Sequence, residues 1–176
     1  MHYSSFGLAI ALVLAGTPAL AKNPSFSAVL RGDNETTHTG SKATGSARIM
    51  VDLDKQRINL KLTVNGLTVD KLWDQLVTAP IGPIHLHVYA SHNHSDPNAS
   101  SLILPLPYGP SYRATKTGFT VIMNDYSYEQ GAKTLGSKAS LTEFVEAMKN
   151  GSVVVNIHTD AFNEGEISGK VIPDKG

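Results

Sequence analysis

The chain has 176 residues, 15 Lys+Arg against 15 Asp+Glu for a formal net charge of zero, and no cysteine. That length is one domain's worth of chain, long enough to bury a core without covalent staples. Balanced charge removes the electrostatic argument for nucleic acid or an anionic membrane surface, and the missing thiols exclude disulfides, thiolate metal sites and thiol catalysis.

The N-terminus reads as an export signal. Phe6 to Leu14 is an apolar run, Gly16 and Pro18 break it, and Ala19-Leu20-Ala21 offers small residues for cleavage. Residues 1–21 are therefore expected to be removed and 22–176 to form the mature domain, although Met1-His2-Tyr3-Ser4-Ser5 carries no Lys or Arg. The run falls short of the roughly 20 residues a bilayer span needs, so no membrane span is expected after cleavage. The expected setting is therefore periplasmic or secreted.

Most of the mature chain alternates with period two, the pattern of half-buried antiparallel strands. Phe26, Ala28 and Leu30 share one face, as do Ile49, Val51 and Leu53, and then Ile58, Leu60, Leu62 and Val64. The last two segments predict a hairpin through Asp54-Lys55-Gln56. A short helical turn is expected over Val69 to Val77 around Trp73. Further strands follow at Ile84 to Tyr89, Phe119 to Met123, Val153 to His158 and Glu166 to Ile172, with Pro105 to Pro110 as a stiff loop. Ser140 with Glu143 forms a capping box, and Leu141, Phe144, Val145 and Met148 make the apolar stripe of a helix that stops at Asn150-Gly151. The expected fold is all-β with one or two short helices, an immunoglobulin-like or Greek-key sandwich or barrel.

Five of the seven histidines fall in two places: His85, His87, His92 and His94 close together, and His158 near the C-terminus. Strand parity turns Ile84, Leu86 and Val88 toward the apolar side and His85 and His87 away from it. The same parity turns Val153, Val155 and Ile157 inward, and Val154, Asn156 and His158 outward. If the two strands are neighbours, three imidazoles converge on the outer face, enough to hold zinc or copper with an open position. The competing reading is a set of solvated outward residues, which a lone His-X-His ordinarily is.

His92 and His94, in a loop bounded by Asp96-Pro97, are accessory candidates, to complete the site, bridge to a second ion or take no part, while His2 and His38 lie outside the group. Asp160, Glu164 and Glu166 are candidates to orient an imidazole through its second nitrogen. No Gly-X-Ser-X-Gly elbow, helical His-Glu-X-X-His or phosphate-cradling glycine loop occurs, and no catalytic residue can be named.

Several ordered motifs resemble the CHRD family, the domain named after chordin and found also in secreted microbial proteins. Lys149-Asn150-Gly151, then Val154-Val155-Asn156-Ile157-His158-Thr159 and Gly165-Glu166-Ile167-Ser168-Gly169, resemble its C-terminal signature. Pro83-Ile84-His85-Leu86-His87 resembles its central segment, and Phe26 to Gly32 with Asn34-Glu35, and Ala43 to Ala47, its first strands. The resemblance covers about residues 25 to 172. Thr36-Thr37-His38 replaces the family's usual prolines, and Ser168 stands where arginine is common.

The resemblance implies an immunoglobulin-like β fold in a secreted setting, with no settled activity, and chordin's role in regulating growth-factor ligands makes protein binding a rival function. A separate likeness, of site and architecture alone, is to the copper-zinc superoxide dismutases, also Greek-key β proteins, with their outward His-X-His on one strand and a distant fourth-strand histidine. The expected partner is a transition metal ion at His85, His87 and His158, copper favoured over zinc or iron, with superoxide-dismutase-like redox activity as a consequence. The alternative partner is another extracellular protein, bound without metal.

Overall fold

Ile58, Leu60, Leu62 and Val64 alternate with polar residues, and all four are buried in one core. The computed structural model describes residues 23–34, 38–90 and 100–174. The stripe lies on β3 (Arg57–Asn65), which forms the expected hairpin with β2 (Thr44–Asp52) from Asp52↔Arg57 to Thr44↔Asn65. Asp52 Oδ1 accepts from Lys55 N at 3.0 Å, and Gln56 takes a left-handed φ of 54°, which closes the turn.

The remaining strands extend the hairpin into one curled antiparallel sheet. They are β1 (Ser25–Arg31), β4 (Ile84–Tyr89), β5 (Ser100–Leu106), β6 (Tyr112–Ala114), β7 (Gly118–Ser127), β8 (Val153–Ile157), β9 (Ile167–Lys170) and β10 (Ile172–Pro173). Their order is β5-β4-β8-β9-β1-β2-β3-β7-β6, with β10 also paired to β1. The Tyr112 hydroxyl donates to the Leu106 carbonyl at 2.6 Å, linking the two terminal strands of that order. The architecture is the expected all-β one.

Helices cover the core. In α3 (Leu141–Lys149), Ser140 and Glu143 make the predicted capping box, and Leu141, Phe144, Val145 and Met148 are buried. Each such side chain contributes roughly 1.5–3 kcal/mol through removal from water. The stretch around Trp73 is a 3₁₀ turn (Val69–Lys71) followed by the single-turn α1 (Asp74–Val77).

Three elements are absent from the sequence expectation. The Pro105 to Pro110 loop begins later than expected, because β5 continues through Leu106 and Pro105 pairs with His85. Proline is tolerated there because β5 ends the strand order and needs no donor on its open side. β6 has three residues and little apolar pattern. α2 (Tyr128–Thr134) carries Gly131 at its centre, where a Cβ would lie 2.9 Å from the Tyr126 ring, so packing against β7 overrides a weak helical sequence. The expected Glu166 to Ile172 strand divides into β9 and β10.

Candidate metal centre

β4 and β8 are adjacent and antiparallel, with Ile84↔Ile157, His85↔Asn156, Leu86↔Val155 and His87↔Val154 in register. Leu86, Val155 and Ile157 belong to the core cluster, so parity places His85, His87 and Asn156 on the opposite face. His158 follows β8 by one residue, and its amide donates to Pro83 O at 2.9 Å, which keeps it in line with the ladder. It is thus the diagonal neighbour of His85, within reach of a long side chain.

The three rings meet. Ring centroids are 4.4 Å apart for His85 and His158, 4.9 Å for His85 and His87, and 6.3 Å for His87 and His158. One ligand nitrogen from each lies within 4.8 Å of the other two. His38 is not part of this group, and His92 and His94 lie outside the described residues.

The expectation of a solvated outer face is wrong in one respect. The face opposite the core is itself covered: His85 is 3% and His158 7% exposed, His87 is half-buried, and every residue of β8 is buried. Trp73 lies against His158, with ring centroids 6.3 Å apart and Trp73 N donating to His158 O at 3.1 Å. Leu72 bridges to Thr159, so the stretch around Trp73 is tied to the chain beside the histidines. The sequence placed Trp73 in a helical turn without connecting it to them.

Backbone carbonyls orient two of the imidazoles. His85 Nδ1 lies 3.2 Å from Gly82 O and His158 Nδ1 lies 2.7 Å from Asn163 O. A carbonyl only accepts, so both Nδ1 atoms carry the proton and each Nε2 keeps its lone pair. His87 Nδ1 lies 3.1 Å from Ser100 Oγ. Among the described residues the Nε2 atoms of His87 and His158 are buried and have no hydrogen-bond partner, an arrangement that ordinarily costs stability unless a further group occupies it.

The carboxylates expected to orient imidazoles are used elsewhere. Glu166 accepts from Ser41 Oγ at 2.7 Å and Thr159 Oγ1 at 2.8 Å, while its carbonyl accepts from Thr39 Oγ1 at 2.6 Å. This ties the 39–41 loop to the end of β8. Asp160 Oδ1 accepts from Asp74 N at 3.1 Å, at the start of α1. The exposed Glu164 acts on His158 only through its charge, and its carbonyl accepts from Asn156 Nδ2 at 3.1 Å.

Two glycines make room for this. At Gly82 (φ +75°) a Cβ would lie 2.1 Å from Leu106 O, and at Gly165 (φ +125°) 2.2 Å from Asn156 Oδ1.

Burial keeps the imidazoles neutral. It pushes His85 down to about 3, helped by the neighbouring His158 and His87 and opposed by the Gly82 bond. It pushes His87 down to about 4, again with His158 contributing. His158 is also lowered by burial, against the raising effects of the Asn163 carbonyl and Glu164. Neutral imidazole is the form that ligates metal.

One curled antiparallel sheet with two covering helices, and three neutral histidines gathered on the face away from its core, define an all-β domain with a candidate metal centre. The chain belongs to the CHRD domain family, whose model matches residues 26–171. CHRD domains are typically extracellular modules. A comparison with curated proteins gives no match. Among the described residues no helix is long and apolar enough to cross a membrane.

Proposed function

We propose that this domain binds a transition metal ion, copper favoured over zinc or iron, through His85, His87 and His158, in a periplasmic or secreted protein whose residues 1–21 are cleaved. The observation that carries the reading is the pair of buried, unpartnered Nε2 atoms on His87 and His158, beside His85. His85 and His158 share one tautomer, set by carbonyls on their opposite ring atoms, and His87 is positioned by Ser100 Oγ, as a ligating histidine set requires. The three nitrogens lie within 4.8 Å of one another, within side-chain rotation of the roughly 3.3 Å between ligands of a tetrahedral ion bound at about 2.0–2.1 Å.

Three protein ligands leave a coordination position open, and copper there would be suited to one-electron chemistry such as superoxide dismutation. The test is metal analysis of untagged protein beside the His85→Ala/His87→Ala double variant, with superoxide consumption assayed on both. Stoichiometric metal in the parent and its loss in the variant support the reading; equal, negligible metal in both sinks it.

A second reading, a metal-free extracellular interaction module, draws on apolar side chains left in solvent on adjoining strands: Val29 on β1, Met50 on β2 and Ile172 on β10, 60%, 45% and 49% exposed.

A further inference from the structure

From the ligand chemistry we infer that the site is selective for the monovalent ion, Cu(I), over Cu(II) and Zn(II); this rests on the metal reading above. The first ground is charge. All three ligands are neutral imidazoles, and the groups that orient them, Gly82 O, Asn163 O and Ser100 Oγ, are neutral as well. The carboxylate that acts on the set, Glu164, is exposed and therefore screened by water. Asp160 and Glu166 are committed to Asp74 N and to the hydroxyls of Ser41 and Thr159.

The cost of bringing an ion into such surroundings grows with the square of its charge. A dication at a site where two of three ligands are at most 7% exposed must recruit an anion or stay partly hydrated. A monocation needs neither.

The second ground is geometry. The ligand nitrogens lie within 4.8 Å of one another. Three imidazoles are the ligand set that the described residues bring together, enough to close on a three-coordinate ion at about 2.0 Å. Cu(I), with a filled d shell, accepts such low coordination, whereas Cu(II) prefers a tetragonal set of four or more ligands, of which the histidines supply three. Hard cations prefer oxygen ligands, whereas the three histidines offer nitrogen.

The experiment uses the untagged full chain. Cu(I), maintained with ascorbate under nitrogen, is titrated in competition with bicinchoninate; Cu(II) and Zn(II) are each titrated in competition with nitrilotriacetate. Fluorescence of Trp73, the chain's single tryptophan, provides a local readout because its ring lies beside His158. One Cu(I) per chain, bound at least roughly a hundredfold more tightly than Cu(II), is the expected result, equivalent to a copper couple raised by about 120 mV at 59 mV per tenfold.

The half-buried His87 permits a mild variant, His87→Gln, which is expected to lose Cu(I) affinity at least tenfold while its circular dichroism stays that of the parent. If Cu(II) or Zn(II) binds as tightly as Cu(I), the selectivity is wrong and the metal site stands. If none of the three ions binds one to one, both are wrong.

Discussion

His158 lies diagonally across the β4–β8 ladder from His85, the two rings stacked with centroids 4.4 Å apart and planes 27° apart. A like pair of basic groups is stable at that distance only while both are uncharged, and each is held neutral chiefly by burial. The relationship governs both the stability of the metal-free domain and its behaviour toward metal.

Removing one ligand at a time ranks the contributions. His158→Ala is expected to weaken copper binding by well over tenfold, since an interaction that merely orients a ligand is already worth about 10–100-fold. Asn156→Ser, altering a neighbour on the same face outside the histidine set, is expected to change affinity far less. Calorimetric titration of both separates a ligand from its surroundings. His92→Ala and His94→Ala measured alongside test their accessory role, the expected outcome being a smaller loss than for His158→Ala.

Acid destabilises the metal-free domain. The unfolded chain binds protons at an ordinary histidine value of 6.5, whereas folded His85 and His87 resist protonation down to about 3 and about 4. Stability is therefore full above pH 6.5 and falls as pH drops through the window toward 4 and 3. Each histidine accounts for up to about 2 kcal/mol between pH 6.5 and 5, at roughly 1.4 kcal/mol per pH unit. Urea midpoints in the presence of a chelator are expected to decline across that range, above the ordinary range of Asp and Glu, and to decline less in His85→Gln. A pH-independent midpoint would contradict buried neutral imidazoles.

Gly82→Ala is expected to disturb both fold and site. The new Cβ meets Leu106 O at 2.1 Å in a left-handed backbone, so the chain must shift, and the carbonyl that accepts from His85 shifts with it. A loss of about 2–4 kcal/mol in stability is expected from strain and displacement, together with about tenfold weaker metal binding. Chemical denaturation and metal titration on the same preparation check the two effects.

Glu166→Gln separates architecture from the site. The carboxylate accepts hydroxyls from Ser41 and the fully buried Thr159, and no imidazole. Losing charge-assisted bonds is expected to destabilise by about 1–3 kcal/mol, with metal affinity within a few-fold of the parent. A large loss of affinity without loss of stability would mean that Glu166 does act on a histidine.

Ser140→Ala removes the side-chain acceptor for Glu143 N and opens the capping box of α3. A destabilisation of about 1 kcal/mol is expected, measured as a lower thermal midpoint with unchanged metal binding.

Local pattern determined a good part of this molecule. Period-two alternation assigned the faces of β1, β2 and β3 and set His85, His87 and His158 on the side away from the core, because parity along a strand is a property of the backbone alone. The capping box and stripe of α3 were legible for the same reason. Only the tertiary structure decided that β4 lies beside β8, since pairing between distant strands depends on how the whole sheet curls. Only it decided that the second face is covered, turning expected surface histidines into buried neutral ones. The groups that orient His85 and His158 are the carbonyls of Gly82 and Asn163, and a carbonyl, which every residue possesses, leaves no mark in a sequence until the chain has folded around it.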